Sequence, residues 1–165
     1  MNLPPYKKFP TLLSEKIMLR EILISDIPDI IETSFYDGKQ AENVDQAIEM
    51  QERINQDYRN GNSIHWGISN RKTNIIMGTC GFYRGFESGI GELGCVLLPI
   101  YRGQGIMTNA MELAIDFGLN KIDLNCIVAI TSMQNNRAIK LLDRLNFIKV
   151  NTSLNDEIKF KFEAK

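Results

Sequence analysis

Apolar and polar positions alternate along the first half of the chain in a way that predicts paired strands. The apolar runs Ile64–Ser69 and Ile75–Tyr83 flank the polar turn Asn70–Asn74, a pattern typical of a β-hairpin. A third run, Ile90–Leu98, stops at Pro99, which cannot donate a hydrogen bond to a strand ladder. We therefore expect neighbouring antiparallel strands in this part of the chain.

Helical spacing, with apolar residues three and four positions apart, marks the segments before these strands. One helical segment follows a first strand at Ile17–Ile22, and Ser25 and Asp26 are its N-cap candidates. A second helix is predicted from about Val44 to Asn60, with Gly61 as its stop.

In the second half of the chain, segments with helical spacing of apolar residues alternate with strand-like apolar runs. An apolar helical face at Met107–Phe117 precedes an apolar strand at Leu124–Ile130, and Asn135–Asn136 can cap a further helix. The segments Phe147–Val150 and Ile158–Phe162 indicate a closing hairpin. The order strand, helix, strand predicts a crossover between two parallel neighbours, and hence a mixed α/β layer structure.

Length and charge narrow the class of protein. A chain of 165 residues suits one domain over residues 1–165, and a net charge of −1 argues against nucleic acid or an anionic membrane as a partner. No apolar run approaches the roughly 20 residues that cross a bilayer, and the N-terminus lacks the apolar core of a signal peptide. We expect a cytoplasmic protein, either a monomer or a homodimer.

Cysteine and histidine are the next candidates for chemistry. Cys80, Cys95 and Cys126 lie within apolar runs and form no C-x-x-C pair, which favours reduced thiols that pack as small hydrophobic groups. A catalytic cysteine is the alternative, and Cys95 is the only one near the glycine turn described next. The sole histidine, His65, disfavours a histidine-based zinc site, and we expect no metal.

The most specific local signal is the glycine turn Arg102–Met107, which leaves a strand and opens a helix. Such a turn directs free N–H groups and the positive end of the helix dipole at one point, where a phosphate can bind. The lysine of a nucleotide P-loop is missing after Gly105. A dinucleotide fingerprint fails too, because Thr108 replaces its third glycine and Asp123 precedes the next strand instead of following it.

Longer motifs around this turn carry a family resemblance. Arg102 and Gly105 fit the pattern Gln/Arg-x-x-Gly-x-Gly/Ala, with Met107 at the small-residue position. The wider blocks are Gly91–Gly94, Pro99–Thr108, Asn135–Leu142, Leu145–Phe147 and, at the N-terminus, Thr11–Ile30. Together they make the chain similar to the GNAT superfamily of N-acetyltransferases, and within it to the RimJ/RimL-type protein N-terminal acetyltransferases.

The resemblance implies a fold and a donor site. The fold is a mixed sheet of about seven strands, largely antiparallel with a splayed parallel pair, flanked by about four helices. Acetyl-CoA is the implied cosubstrate, and it would contact Arg102, Asn135 and the backbone of two segments. These segments are Val96, Leu97 and Leu98 along the pantetheine arm, and Gly103, Gln104, Gly105, Ile106 and Met107 around the pyrophosphate.

Glu92 is the candidate catalytic base, because it lies in an otherwise apolar strand just before the glycine turn. The alternatives are that Glu92 faces solvent at a strand end, or that it binds the amine without taking its proton. Ala138 occupies a position where some relatives have a serine that can protonate the CoA thiolate. The possible substitutes are Ser132, Thr131, Tyr83 and solvent.

The acceptor side is less defined. We expect His65 and Trp66 to form a satisfied core pair, with an acceptor groove as the alternative. The charged helix face Glu49, Glu52, Arg53 and Asp57 is expected to be solvated, and a part in the acceptor site, which the resemblance implies for the helices before this strand, is the alternative. The predicted reaction is direct acetyl transfer to a primary amine, above all a protein N-terminal α-amine. The alternatives are a small-molecule amine as acceptor and a non-catalytic acyl-CoA-binding module.

Overall fold

The computed structural model describes residues 1–150 and 156–163. The strands in that part of the chain are Leu12–Leu13 (β1), Ile17–Arg20 (β2), Phe35–Tyr36 (β3), Lys39–Gln40 (β4), Ile64–Asn70 (β5), Ile76–Tyr83 (β6), Ile90–Leu97 (β7), Cys126–Ser132 (β8), Ile148–Val150 (β9) and Glu157–Glu163 (β10). The α-helices are Val44–Arg59 (α1), Ile106–Phe117 (α2) and Asn136–Arg144 (α3). A 3-10 helix spans Ile24–Thr33, and a π-helical turn at Gly118–Ile122 extends α2.

One eight-stranded sheet organises the molecule, in the order β1-β2-β5-β6-β7-β8-β10-β9. Every neighbouring pair is antiparallel except β7 and β8, which are parallel. The predicted mixed α/β fold is confirmed. The sheet has one strand more than the predicted seven or so, and β3 and β4 form a separate two-stranded ribbon.

The parallel pair opens a cleft in the sheet. Strands β7 and β8 are in register only where Ile90–Glu92 lies beside Cys126–Val128. Beyond Glu92, β7 continues along β6 and β8 continues along β10, so the two strands separate. The remaining edge of β7 therefore carries backbone groups that have no strand partner on that side.

Two apolar clusters hold the layers together. The larger one joins one face of the sheet, including Trp66, Phe82 and Phe160, to α2 and α3. The smaller one joins Ile22 and Ile76 to the 3-10 helix and α1 on the opposite face. Among the described residues, no helix is long and apolar enough to cross a membrane.

The predicted N-terminal helix differs most from the structure. It is a 3-10 helix that begins after Leu23, and neither Ser25 nor Asp26 is its N-cap. Asp26 instead accepts a hydrogen bond from the Leu23 N–H at 2.8 Å and forms a two-armed ion pair with Arg20. Pro28, inside the segment, has no N–H to complete an α-helical turn.

Other predicted boundaries shift by a few residues. The strand predicted as the first is β2, which follows the short β1 and ends at Arg20 instead of Ile22. Strand β8 begins at Cys126 instead of Leu124. The later start of β8 follows from Asp123, whose φ of 69° reverses the chain there. The hairpin, α1 and the closing pair of strands are confirmed. Residues 151–155, between β9 and β10, lie outside the described residues.

Candidate active site

A cavity of about 1810 Å³ occupies the cleft between β7 and β8. It extends from the N-terminus of α2, past the point where the strands separate, to the 3-10 helix and α1. Most of the predicted site residues line it: Glu92, Val96, Leu97, Arg102, Gly103, Gly105, Ile106, Met107 and Asn135.

The glycine turn has the geometry of an anion cradle. Gly103 and Gly105 have φ angles of +74° and +75°, a region that favours glycine, and Gly105 is the N-cap of α2. The N–H groups of Gly103, Gln104 and Gly105 donate to no backbone carbonyl among the described residues. A Cβ built on either glycine meets no atom within 4 Å, so there is room for a phosphate beside the turn.

Basic side chains surround this end of the cavity. Arg102 donates from Nε to the Leu97 carbonyl at 3.3 Å. Arg137, Lys140 and Arg144 also line the cavity from α3, and sequence reasoning missed them. Their spacing of three and four residues places them on one face of the helix, and that spacing was the available signal.

Two predicted donor residues lie differently from the others. The Leu98 N–H donates to the Met77 carbonyl at 2.9 Å, and the Leu98 side chain packs against the smaller apolar cluster outside the cavity. Its N–H is therefore not available to a ligand in the cleft, contrary to the prediction. The Gln104 side chain points away to the Ile100 carbonyl, which leaves only its backbone at the turn.

Glu92 lies at the last residue of the parallel register, where the cleft begins. Its carboxylate forms an ion pair with the guanidinium of Arg84. The Glu92 side chain is 22% exposed and that of Arg84 is 64% exposed, so the arginine is the partner with freedom to move. Tyr83 is the cross-strand neighbour of Glu92, and its burial raises the pKa of the phenol well above its usual value.

The far end of the cavity carries carboxylates. Asp37 and Glu87 line it, together with Asp57, which accepts a hydrogen bond from the Tyr36 hydroxyl at 3.1 Å. Of the helix face that was predicted to be solvated, Glu49, Glu52 and Arg53 are exposed as predicted, and Asp57 is half-buried. The sequence could not show this, because the β3–β4 ribbon folds over this part of α1.

His65 and Trp66 do not form the predicted core pair. Trp66 is fully buried in the larger cluster, and its Nε1 donates to the Pro10 carbonyl at 3.0 Å. His65 is 8% exposed and lines the cavity on the opposite face of the sheet. Its Nδ1 is sealed from solvent with no hydrogen-bond partner, and burial lowers the pKa of the imidazole to about 4.

The cysteines are free thiols, as the sequence predicts. Cys95 lines the cavity, and its Sγ lies 2.8 Å from that of Cys80 on the neighbouring strand. Burial, together with this contact, raises the pKa of the Cys95 thiol well above its usual value. A protonated thiol is a poor nucleophile, so the geometry disfavours a catalytic cysteine.

The start of α3 confirms one of the two roles expected of Asn135. Its Oδ1 accepts a hydrogen bond from the Ala138 N–H at 3.1 Å, which caps the helix. Ala138 lines the cavity, and so do Thr131 and Tyr83 among the candidate thiolate acids. Ser132 does not, and its hydroxyl accepts a hydrogen bond from the Gln134 N–H.

A mixed sheet that splays between two parallel strands, with a glycine turn at the start of the crossover helix, defines a class of acyltransferases. The comparison with known families gives the particular one. The family described as "Acetyltransferase (GNAT) domain" matches residues 16–148. The chain belongs to the GNAT family and is an N-acetyltransferase; GNAT domains use acetyl-CoA.

Individual relatives agree on the family and differ in their acceptors. The chain is 30% identical to the uncharacterised N-acetyltransferase p20 of Bacillus licheniformis over 147 residues, 84% of this chain and 83% of p20. A ribosomal-protein-S5-alanine acetyltransferase from Vibrio fischeri has a TM-score of 0.76 at 19% identity, covering 93% of this chain and 96% of its own. A dodecameric spermidine N-acetyltransferase from Vibrio cholerae has a TM-score of 0.73 at 15% identity, covering 91% and 95%.

Proposed function

We propose that this enzyme transfers the acetyl group of acetyl-CoA to the α-amine of a peptide or protein N-terminus, as RimJ/RimL-type enzymes do. One observation supports it above the others: a single cavity joins a phosphate cradle with basic side chains to an end lined by carboxylates. The basic end suits the phosphates of acetyl-CoA. The acidic end suits a cationic amine before it loses its proton.

In this proposal, the donor is held by backbone groups and α3. The N–H groups from Gly103 to Met107 bind the pyrophosphate, and Arg137 and Lys140 supply charge for the remaining phosphate. The open edge of β7 at Leu97 pairs with the pantetheine amides, much as an added strand would, whereas the backbone of Val96 faces Thr79 on β6 as that of Leu98 faces Met77. Asn135 contacts the thioester end from the cap of α3.

Glu92 takes the proton from the acceptor amine, directly or through one water. The incoming ammonium group displaces Arg84 from the carboxylate, a step that the exposure of Arg84 permits. The neutral amine then attacks the thioester carbonyl, the C–S bond breaks, and CoA leaves as a thiolate. The nitrogen of the new amide gives up its second proton and the thiolate gains one, and the hydroxyl group of Tyr83 or Thr131, both of which line the cavity, can relay it.

A small polyamine is the second candidate acceptor. Asp37, Asp57 and Glu87 offer several carboxylates at one end of the cavity, an arrangement that suits a multiply charged amine. The fold is shared with both ribosomal-protein and spermidine acetyltransferases, so fold similarity does not separate the two candidates.

Release of CoA thiol tests the function. Purified enzyme is given acetyl-CoA with a panel of Xaa-Ala-Ala amides, covering every N-terminal residue, and with spermidine. We expect turnover with a subset of peptides and a kcat reduced about 100-fold or more in Glu92→Gln, since general-base catalysis contributes about 10²–10⁴. Glu112→Gln is the matched control, because Glu112 is an exposed residue of α2 outside the cavity.

Two results would contradict the proposal. Thiol release at background level with every amine would refute acetyl transfer to these acceptors. Undiminished turnover in Glu92→Gln at all pH values would remove Glu92 as the base and leave it an amine-binding role.

A further inference from the structure

Among the described residues that line the cavity, His65 is the one with a buried side-chain polar atom that has no hydrogen-bond partner. Nδ1 is the only buried side-chain nitrogen or oxygen among residues 1–150 and 156–163 that has no hydrogen-bond partner. The outer ring nitrogen, Nε2, is not sealed in this way, and no described residue hydrogen-bonds to it. A histidine this buried is ordinarily hydrogen-bonded, so its exception needs an explanation.

A glycine on the neighbouring strand leaves room for the His65 ring. His65 lies opposite Gly81 on the neighbouring strand, where a Cβ would come within 2.8 Å of the His65 Cα and 3.1 Å of its Cδ2. Tyr83 lies against Gly94 in the same manner, with a Cβ 3.0 Å from its ring. The two ring centroids are 5.4 Å apart. Two glycines therefore leave room for two polar rings on the floor of the acceptor end.

The surroundings define how the imidazole hydrogen-bonds. Because burial lowers the His65 pKa to about 4, the ring is neutral near pH 7 and carries a single proton. A sealed N–H with no acceptor is rarer than a sealed lone pair, so we assign the proton to Nε2 and the lone pair to Nδ1. The outer end of the ring is then an uncharged hydrogen-bond donor.

We propose that His65 Nε2–H donates a hydrogen bond to a carbonyl oxygen of the acceptor and thereby selects carbonyl-bearing amines over polyamines. In a peptide N-terminus, the carbon that carries the amine is also bonded to a carbonyl group, whereas spermidine has no carbonyl group. A neutral donor also does not repel the ammonium group that the carboxylates attract. This inference rests on the proposed acetyl transfer to a peptide amine, and it adds the residue that recognises the peptide carbonyl.

Nuclear magnetic resonance tests the inference without a variant, because His65 is the only histidine. ¹⁵N spectra of the wild-type imidazole near pH 7 report which nitrogen carries the proton. The best peptide of the panel, added with CoA, is expected to shift Nε2 saturably, and CoA alone or with spermidine is not. A proton on Nδ1, or no saturable shift with a peptide that is turned over, would overturn the inference.

Kinetics supply the second test. His65→Leu removes the donor and is expected to raise the peptide KM about three- to tenfold, the effect of one neutral hydrogen bond, while the acetyl-CoA KM stays within about twofold. His65→Gln places an N–H₂ group near the position of Nε2 and is expected to restore most of the loss. The ratio of peptide to spermidine kcat/KM is expected to fall only in His65→Leu.

The outcomes separate this inference from the proposed function. Wild-type enzyme that releases no thiol with any amine refutes the function. Wild-type enzyme that acetylates peptides, with an unchanged peptide KM in a folded His65→Leu, refutes only the role of His65. A preference of the wild type for spermidine over every peptide also refutes that role.

Discussion

Acid should destabilise this protein at one identifiable side chain. His65 is 8% exposed, and burial lowers its pKa from 6.5 to about 4. Between these values the unfolded chain binds a proton that the folded chain does not. The stabilising contribution is therefore fully present above about pH 6.5 and is lost as the pH falls towards 4.

The magnitude follows from the shift. Each pKa unit is worth 1.36 kcal/mol, and between about pH 7 and pH 5 the unfolded imidazole becomes almost fully charged while the folded one stays neutral. The expected loss in the free energy of unfolding over that interval is about 2 kcal/mol. Most carboxyl groups titrate below it, and His65 is the only histidine, so few other groups interfere.

Urea unfolding followed by circular dichroism at both pH values measures this loss. His65→Gln is the matched control, because glutamine keeps a polar side chain and does not titrate. We expect the wild type to lose about 2 kcal/mol more than the variant between the two pH values. Equal losses in the two proteins, or an imidazole that titrates near pH 6.5 in the folded state, would refute the reasoning.

Three further predictions, made with five substitutions, test the donor site and the fold. Gly105 and Gly38 have φ angles of +75° and +74°, and a Cβ at either position meets no atom within 4 Å. Gly105→Ala and Gly38→Ala therefore impose the same backbone strain, and each should lower the free energy of unfolding by about 1–2 kcal/mol. Only Gly105→Ala should raise the acetyl-CoA KM. Asn135→Ala should lower the free energy of unfolding by about 1 kcal/mol, because it removes the helix cap, and Asn135→Ser should restore that stability. If Asn135→Ser also restores the acetyl-CoA KM, the role of Asn135 is purely structural. Asp26→Asn should destabilise the fold by about 3 kcal/mol in urea unfolding, because Arg20 and Asp26 are 11% and 12% exposed and the guanidinium would lose its counter-charge; a loss below about 1 kcal/mol would contradict this.

The donor half of the site was predictable because its chemistry is contiguous. A strand, a glycine turn and a helix occupy Ile90–Phe117, and positive φ angles at Gly103 and Gly105 are what a sequence with glycine at both positions indicates. The sequence did not indicate that the Leu98 N–H faces away from the cleft, because proximity in sequence does not show which neighbour a backbone N–H faces. That N–H is used by Met77 on the adjacent strand.

Apart from Glu92 and the alternative given for His65, the candidate acceptor half was not predicted, because its residues come from separate elements. Asp57 lies on α1, His65 on β5 and Glu92 on β7, and only the order of the strands brings these elements to one cavity. One part of the error was avoidable. Adjacent residues of a strand face opposite sides of the sheet, so His65 and Trp66 could not both enter the same core.

Strand β7 connects the candidate donor end of the cavity with the candidate acceptor end. Its alternation places Glu92, Gly94 and Val96 on one face, beside Tyr83 and His65, while Leu93 and Leu97 are buried in the larger cluster. The parallel register with β8 ends at Glu92, so the strand exposes its free edge immediately beyond the proposed base. In the proposed function, a donor bound along that edge is held in fixed register with Glu92, and the acceptor approaches past Gly94, Tyr83 and His65, which line the same cavity. Gly81 and Gly94 leave room for His65 and Tyr83, and both rings line the cavity on the face of the sheet that carries Glu92.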